Sequence, residues 1–234
     1  MVADRTPLIQ ILRKPPQASA ASEPRPGTPQ WPAGAEPWRQ SSAGRAAGEQ
    51  CEFCGAAIAA EHGHLADLPR RALLCVCRAC YLLFTHDGAG GARFRAVPTR
   101  YVMLPEFAAA RESWEALDLP IGLAFFFRNS ATGRTTAFYP SPAGATESEL
   151  PLGSWDALAR AVPALGTLAA DVEALLVRRD QDRMDALIVP IDACYELVGV
   201  IRIAWRGFHG GDELHRHVDS FFARARERAT ETGV

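Results

Sequence analysis

Apolar and polar positions in this chain fall into two regimes. Past residue 90 they repeat at the periods of secondary structure, whereas before residue 50 prolines interrupt them too often for any period to form. In the later part, Arg95 to Met103 reads as a strand interrupted by Pro98. Phe107, Ala110, Trp114 and Leu117 stand at helical spacing and predict a helix over 106–117. The run Ile121 to Arg128 is continuously apolar and predicts a buried strand. Ser130-Ala-Thr-Gly133 supplies a hairpin turn, and Thr135 to Tyr139 the returning strand. Pro140 to Gly153 reads as a loop. Ser154 is the expected N-cap of a short helix ending near Val162. Val172 to Val177 and Ala186 to Val189 predict two strands around the polar turn 180–185. Asp192 is expected to cap a helix whose buried face carries Cys194, Leu197, Val198, Ile201, Ala204 and Trp205, with Gly207 as its stop. A last helix turns Leu214, Val218, Phe221, Phe222 and Ala225 inward.

These elements predict an α+β fold in which a small N-terminal zinc-ribbon-like lobe precedes a mixed α/β domain. Residues 1–46 form a Pro-rich leader expected to be disordered, since eight of the 17 prolines lie before residue 50 and each fixes φ and removes a backbone donor. Residues 47–90 form the lobe and 91–230 the α+β domain, with Gly88-Ala-Gly-Gly91 as a hinge.

Composition narrows the function classes. The 234 residues are 48% hydrophobic and 22% charged, a globular balance. A formal net charge of -2 argues against nucleic acid or an anionic membrane as partner. No apolar run approaches the ~20 residues of a membrane span, and the N-terminus lacks the apolar core of a signal peptide. A cytoplasmic protein with reduced thiols is expected, and there clustered cysteines bind metal more often than they form disulfides.

Five of the six cysteines lie in residues 51–80. Cys51-x2-Cys54 and Cys77-x2-Cys80 each place two thiols in one tight turn, and together they supply the four thiolates that tetrahedral Zn²⁺ prefers. Cys51, Cys54, Cys77 and Cys80 are therefore the predicted metal ligands, with Gly55 leaving the first turn at positive φ. Iron is the alternative metal, as in a rubredoxin-type centre. Rubredoxin turns usually place Gly after the second cysteine of each pair, and here Tyr81 follows Cys80, which favours zinc. Cys75 reads as a small buried hydrophobe, or as a spare thiol able to exchange as a ligand. His62 and His64 read as loop or surface residues, with a three-cysteine, one-histidine site through His64 as the alternative. His209, Asp212, Glu213, His215 and His217 read as a solvated helix start, and Cys194 as core. The chain contains no Gly-rich phosphate loop, nucleophile elbow or H-E-x-x-H motif. No catalytic or organic-cofactor residue is assigned from the sequence.

Two stretches carry a resemblance. One is His64-Leu-Ala-Asp-Leu68 with Arg71-Ala-Leu-Leu-Cys-Val-Cys-Arg-Ala-Cys-Tyr-Leu-Leu-Phe84. The other is Val189-Pro-Ile-Asp-Ala-Cys-Tyr-Glu-Leu-Val-Gly199 with Trp205-Arg-Gly-Phe-His-Gly-Gly211. Together they resemble an uncharacterised actinobacterial family often encoded beside uptake NiFe-hydrogenase genes. The resemblance covers roughly residues 48–228. It implies a non-enzymatic metal-binding accessory or scaffold protein, with hydrogenase subunits or maturation factors as partners. A rubredoxin-like iron electron carrier, or a zinc-ribbon regulator binding protein or nucleic acid, are the alternatives.

Overall fold

The computed structural model describes residues 49–86, 88–117, 122–141, 144–149, 152–180, 183–206 and 211–231. The leader 1–46, the stop at Gly207 and His209 lie outside the described residues. Within them the architecture is mixed α/β, with five α-helices and two sheets.

The smaller sheet has three antiparallel strands in the order β2-β1-β3: β1 (Gly63–Asp67), β2 (Ala72–Val76) and β3 (Phe94–Ala96). A one-turn helix, α1 (Arg78–Leu82), follows β2. This sheet extends beyond residue 90, the expected end of the lobe, because Phe94–Ala96 pairs with β1. The single strand expected over 95–103 is two. Past Pro98 the chain enters the second sheet as β4 (Tyr101–Met103). Proline cannot donate to a ladder, so the run breaks there and its halves pair with different partners.

The larger sheet continues with β5 (Leu123–Arg128), β6 (Thr135–Ser141), β7 (Gly144–Glu149), β8 (Glu173–Asp180), β9 (Arg183–Pro190) and β10 (Ala229–Glu231). Its order is β10-β4-β9-β8-β5-β6-β7. Among the described residues, only β10 and β4 pair in parallel in this sheet. The remaining helices are α2 (Arg111–Glu115), α3 (Leu152–Ala161), α4 (Ile191–Ala204) and α5 (Gly211–Arg228).

Alternation along β5 and β8 builds two cores on opposite faces. Phe125, Ala174 and Leu176 pack with Cys194, Leu197, Leu214 and Phe222 from α4 and α5. Ala124, Phe126, Leu175 and Val177 pack with Phe107, Trp114, Leu158 and Leu165 on the other side. A sheet covered on both faces needs apolar residues at every position, which is why its central strands read as unbroken hydrophobic runs rather than alternating ones.

Three further expectations change. The helix expected over 106–117 is a 3-10 segment, Pro105–Ala110, followed by the short α2. The loop expected over 140–153 contains the end of β6, all of β7 and the start of α3. β7 is an edge strand in which Thr146 and Glu147 are exposed, so it carries no apolar alternation to betray it. Asp192 is not the N-cap but lies inside the first turn. α4 starts at Ile191 with Pro190 as N-cap and no side-chain cap bond, and the carboxylate is engaged elsewhere.

Two buried carboxylates join the layers. Glu173 is fully buried and accepts from Arg100 Nε at 2.5 Å, from Arg100 Nη2 at 2.7 Å and from the Ala169 amide at 2.8 Å. Asp67, at the end of β1, is 1% exposed and accepts from Arg93 Nη2 at 3.1 Å.

Candidate metal centre

The two cysteine pairs are positioned by different local structures. Cys51 and Cys54 sit in a knuckle turn. The Gly55 amide donates to the Cys51 carbonyl at 2.8 Å, and the Cys51 amide to the Ala56 carbonyl at 2.7 Å. Gly55 has φ +75°, a conformation that glycine adopts without steric cost. Cys77 is the N-cap of α1, and its sulfur accepts from the Cys80 amide at 3.5 Å. One pair thus leaves a knuckle and the other opens a helix after the β1–β2 hairpin.

These turns converge. The sulfurs of Cys51, Cys54, Cys77 and Cys80 all lie within 4.8 Å of one another, and such a set can hold a metal ion. Cys54 Sγ and Cys77 Sγ are 3.7 Å apart. A tetrahedral ion with metal–sulfur bonds of about 2.3 Å separates its sulfurs by about 3.8 Å. Cys51 and Cys80 are buried, Cys77 is half-buried and Cys54 is exposed.

The thiols differ in acidity. Burial opposes ionisation of Cys51, but hydrogen bonds from the backbones of Cys77, Cys54 and Phe53, with the Cys54 thiol, bring its pKa down to about 6. Burial pushes the Cys80 thiol up to about 12, and crowding by the sulfurs of Cys54, Cys77 and Cys51 adds to the effect. Four thiolates this close repel one another, so a cation is what lets the whole set ionise together.

A second group lies beside the first. His62, His64 and Cys75 each offer a ligand atom within 4.8 Å of the others. His64 and Cys75 are paired positions in the β1–β2 ladder. His64 Nδ1 lies 2.7 Å from Asp192 Oδ2, across 128 positions of chain. The hydrogen bond to Asp192, then that to Cys75, raises the His64 pKa to about 9 against the opposing effect of burial. Asp192 also accepts from the Ala193 amide at 2.8 Å. The sequence carried no signal for this contact, because neither residue breaks the local pattern around it.

Other candidates stand apart. His215 and His217 are exposed on α5, bonded to the Gly211 carbonyl at 2.9 Å and lying 3.8 Å from Glu213 respectively. Cys194 is completely buried, and that burial raises its pKa far above the ordinary thiol value. A cleft of about 180 Å³ lies where the β1–β2 hairpin meets the larger sheet, lined by Asp67, Arg71, Phe127, Glu147 and Tyr195 among others.

Residues 50–229 match the model of a family described as a family of unknown function, DUF5947. The chain belongs to that family. All of the cysteines and histidines discussed above fall inside the DUF5947 match. No curated protein and no solved structure matches the chain. Among the described residues, no helix of this DUF5947 chain is long and apolar enough to cross a membrane.

Proposed function

We propose that this protein is a non-enzymatic metal-binding accessory or scaffold protein in which Cys51, Cys54, Cys77 and Cys80 hold a structural zinc ion in a zinc-ribbon-like lobe. The reading rests on one observation, the convergence of four sulfurs from two separate turns. The ion would tie the knuckle to the start of α1 and hold their surface residues in place. Phe53 lies between the first two ligands, while Leu82 and Leu83 follow the last; all three are exposed large hydrophobics. An exposed apolar set of this kind fits a protein partner. The resemblance noted above makes a NiFe-hydrogenase subunit or maturation factor the partner to test.

One observation favours a second reading. Cys54 is exposed, and a solvent-facing sulfur suits electron transfer by a rubredoxin-like iron centre. Metal analysis of natively expressed protein separates the two, since zinc leaves the protein colourless and ferric thiolate turns it red. In the same measurement Cys77→Ser should lose the ion and Cys75→Ser should keep it in the four-cysteine site. Pull-downs under reducing conditions, wild type against Cys54→Ser, test the partner. Equal recovery by both would remove the metal lobe from the interaction. Absence of hydrogenase components in a strain that expresses the enzyme would exclude that context.

A further inference from the structure

The four-cysteine set leaves its neighbours His62, His64 and Cys75 unused. His64 and Cys75 face each other across the hairpin, so their side chains leave the same face of the sheet. His62 precedes β1, and its ring centroid lies 4.9 Å from that of His64.

Both imidazoles have Nδ1 committed to an acceptor. His62 Nδ1 lies 2.9 Å from the Ala59 carbonyl, and His64 Nδ1 lies 2.7 Å from the Asp192 carboxylate. Neither acceptor can donate, so Nδ1 of each ring carries a proton; Nε2 of His64 is then the nitrogen left to bond Cys75, and a metal ion would take the place of the proton between them. In His62 Nε2 is buried without a hydrogen-bond partner, on a side chain only 10% exposed. Its desolvation is uncompensated among the described residues. A histidine with one nitrogen held by a carbonyl or carboxylate and the other free is the arrangement of metal-ligating imidazoles.

We infer a second metal site, in which Nε2 of His62, Nε2 of His64 and Sγ of Cys75 bind a divalent transition ion, zinc first, with Asp192 as the outer partner of His64. Two nitrogens and a sulfur match the ligand preference of zinc. Three protein ligands leave the fourth position open to water or an incoming ligand, unlike the closed four-cysteine set. All three ligands are half-buried, so the position is within reach of solvent. Cys75, His64 and Asp192 also line up as nucleophile, base and orienting carboxylate. That reading leaves the His62 nitrogen unexplained, whereas the metal site uses all four groups.

Glu52 couples the two sites. Its amide donates to the Cys75 carbonyl at 2.9 Å, and its carboxylate accepts from the Cys75 amide at 2.6 Å. The knuckle of the first site thereby holds the strand that presents Cys75. The ligand sets share no residue, so substitutions at His62 and Cys75 report on this site while all four cysteines of the other remain.

The test is a zinc titration of the metal-free, reduced full-length chain, read by competition with a chromophoric chelator. The wild type should bind two equivalents. His62→Ala, which alters a residue outside any helix or strand, and Cys75→Ser should each bind one. The second equivalent should also protect Cys75 from alkylation, as mapped by mass spectrometry. One equivalent in the wild type, unchanged in His62→Ala, would overturn this site and leave the four-cysteine site standing. One equivalent lost in both His62→Ala and Cys75→Ser but retained in Cys80→Ser would support this site and overturn the other.

Discussion

Replacing Cys80 by serine should unfold one end of the molecule and leave the rest intact. Cys80 shares the small buried cluster with Cys51, Leu65 and Val76. Two of those four residues are proposed ligands, so its fully buried apolar side chains are Leu65 and Val76, with Ile58, Leu74, Tyr81 and Phe84 only partly buried against them. Burying two such side chains contributes about 3–6 kcal/mol. The segment 49–62 spans fourteen residues without a named helix or strand, and ordering its backbone costs at least about 14 kcal/mol at ~1 kcal/mol per residue. The difference, on the order of 10 kcal/mol, is what a structural zinc supplies when binding and folding are coupled. The hairpin itself should survive, because Ala66, Leu68 and Leu73 pack on the core of the larger sheet. Hydrogen exchange read by mass spectrometry gives the assay. In Cys80→Ser, or in wild type treated with a chelator, the amides of Cys51, Glu52, Gly55 and Ile58 should lose protection; each donates within or from the knuckle. Amides of β8 and β9 should keep theirs. Unchanged protection across 51–58 after the metal is removed would show that the knuckle is held by its own contacts and refute the argument.

Three further outcomes follow from named contacts. Gly63→Ala would place a methyl 2.6 Å from the Tyr81 ring, forcing the ring away from β1; a loss of about 1–3 kcal/mol in urea unfolding is expected, as for other overpacked sites. Arg100→Met strands the fully buried Glu173 carboxylate with the Ala169 amide, and thermal unfolding should report a loss of about 3–5 kcal/mol. Arg100→Lys should recover only part, since an ammonium cannot reproduce the two-nitrogen contact. Asp192→Asn should weaken zinc at the His62–His64–Cys75 site by about 10–100-fold, read by chelator competition, while leaving the four-cysteine site unchanged.

Local chemistry was legible wherever neighbours in sequence are neighbours in space. The turn at 130–133 is one case: the Asn129 side chain accepts from the amides of Ala131 and Thr132, and Gly133 takes φ +66°, all within five residues. The buried faces of α4 and α5 are another. Cys194, Leu197, Val198, Ile201 and Ala204 are buried as the 3.6-residue period requires, and so are Leu214, Phe221, Phe222 and Ala225. The four cysteines announced themselves as two short-range pairs. What failed were segments whose partner carries the information. β7 holds no apolar pattern and exists through its pairing with β6.

The sequence by itself determined the cysteine pairs, the hairpin and the apolar faces of the long helices, because each depends on spacings of a few residues that backbone geometry fixes directly. Only the tertiary structure decided that the two pairs meet, that one opens a helix, and that the chain on either side of Pro98 serves two different sheets. It also decided the role of Asp192. Read locally, that residue is a helix cap; in the folded chain its carboxylate meets His64 from 128 positions away. Such a contact depends on how α4 packs against the small sheet, and that packing is set by the summed burial of many side chains rather than by any motif around Asp192.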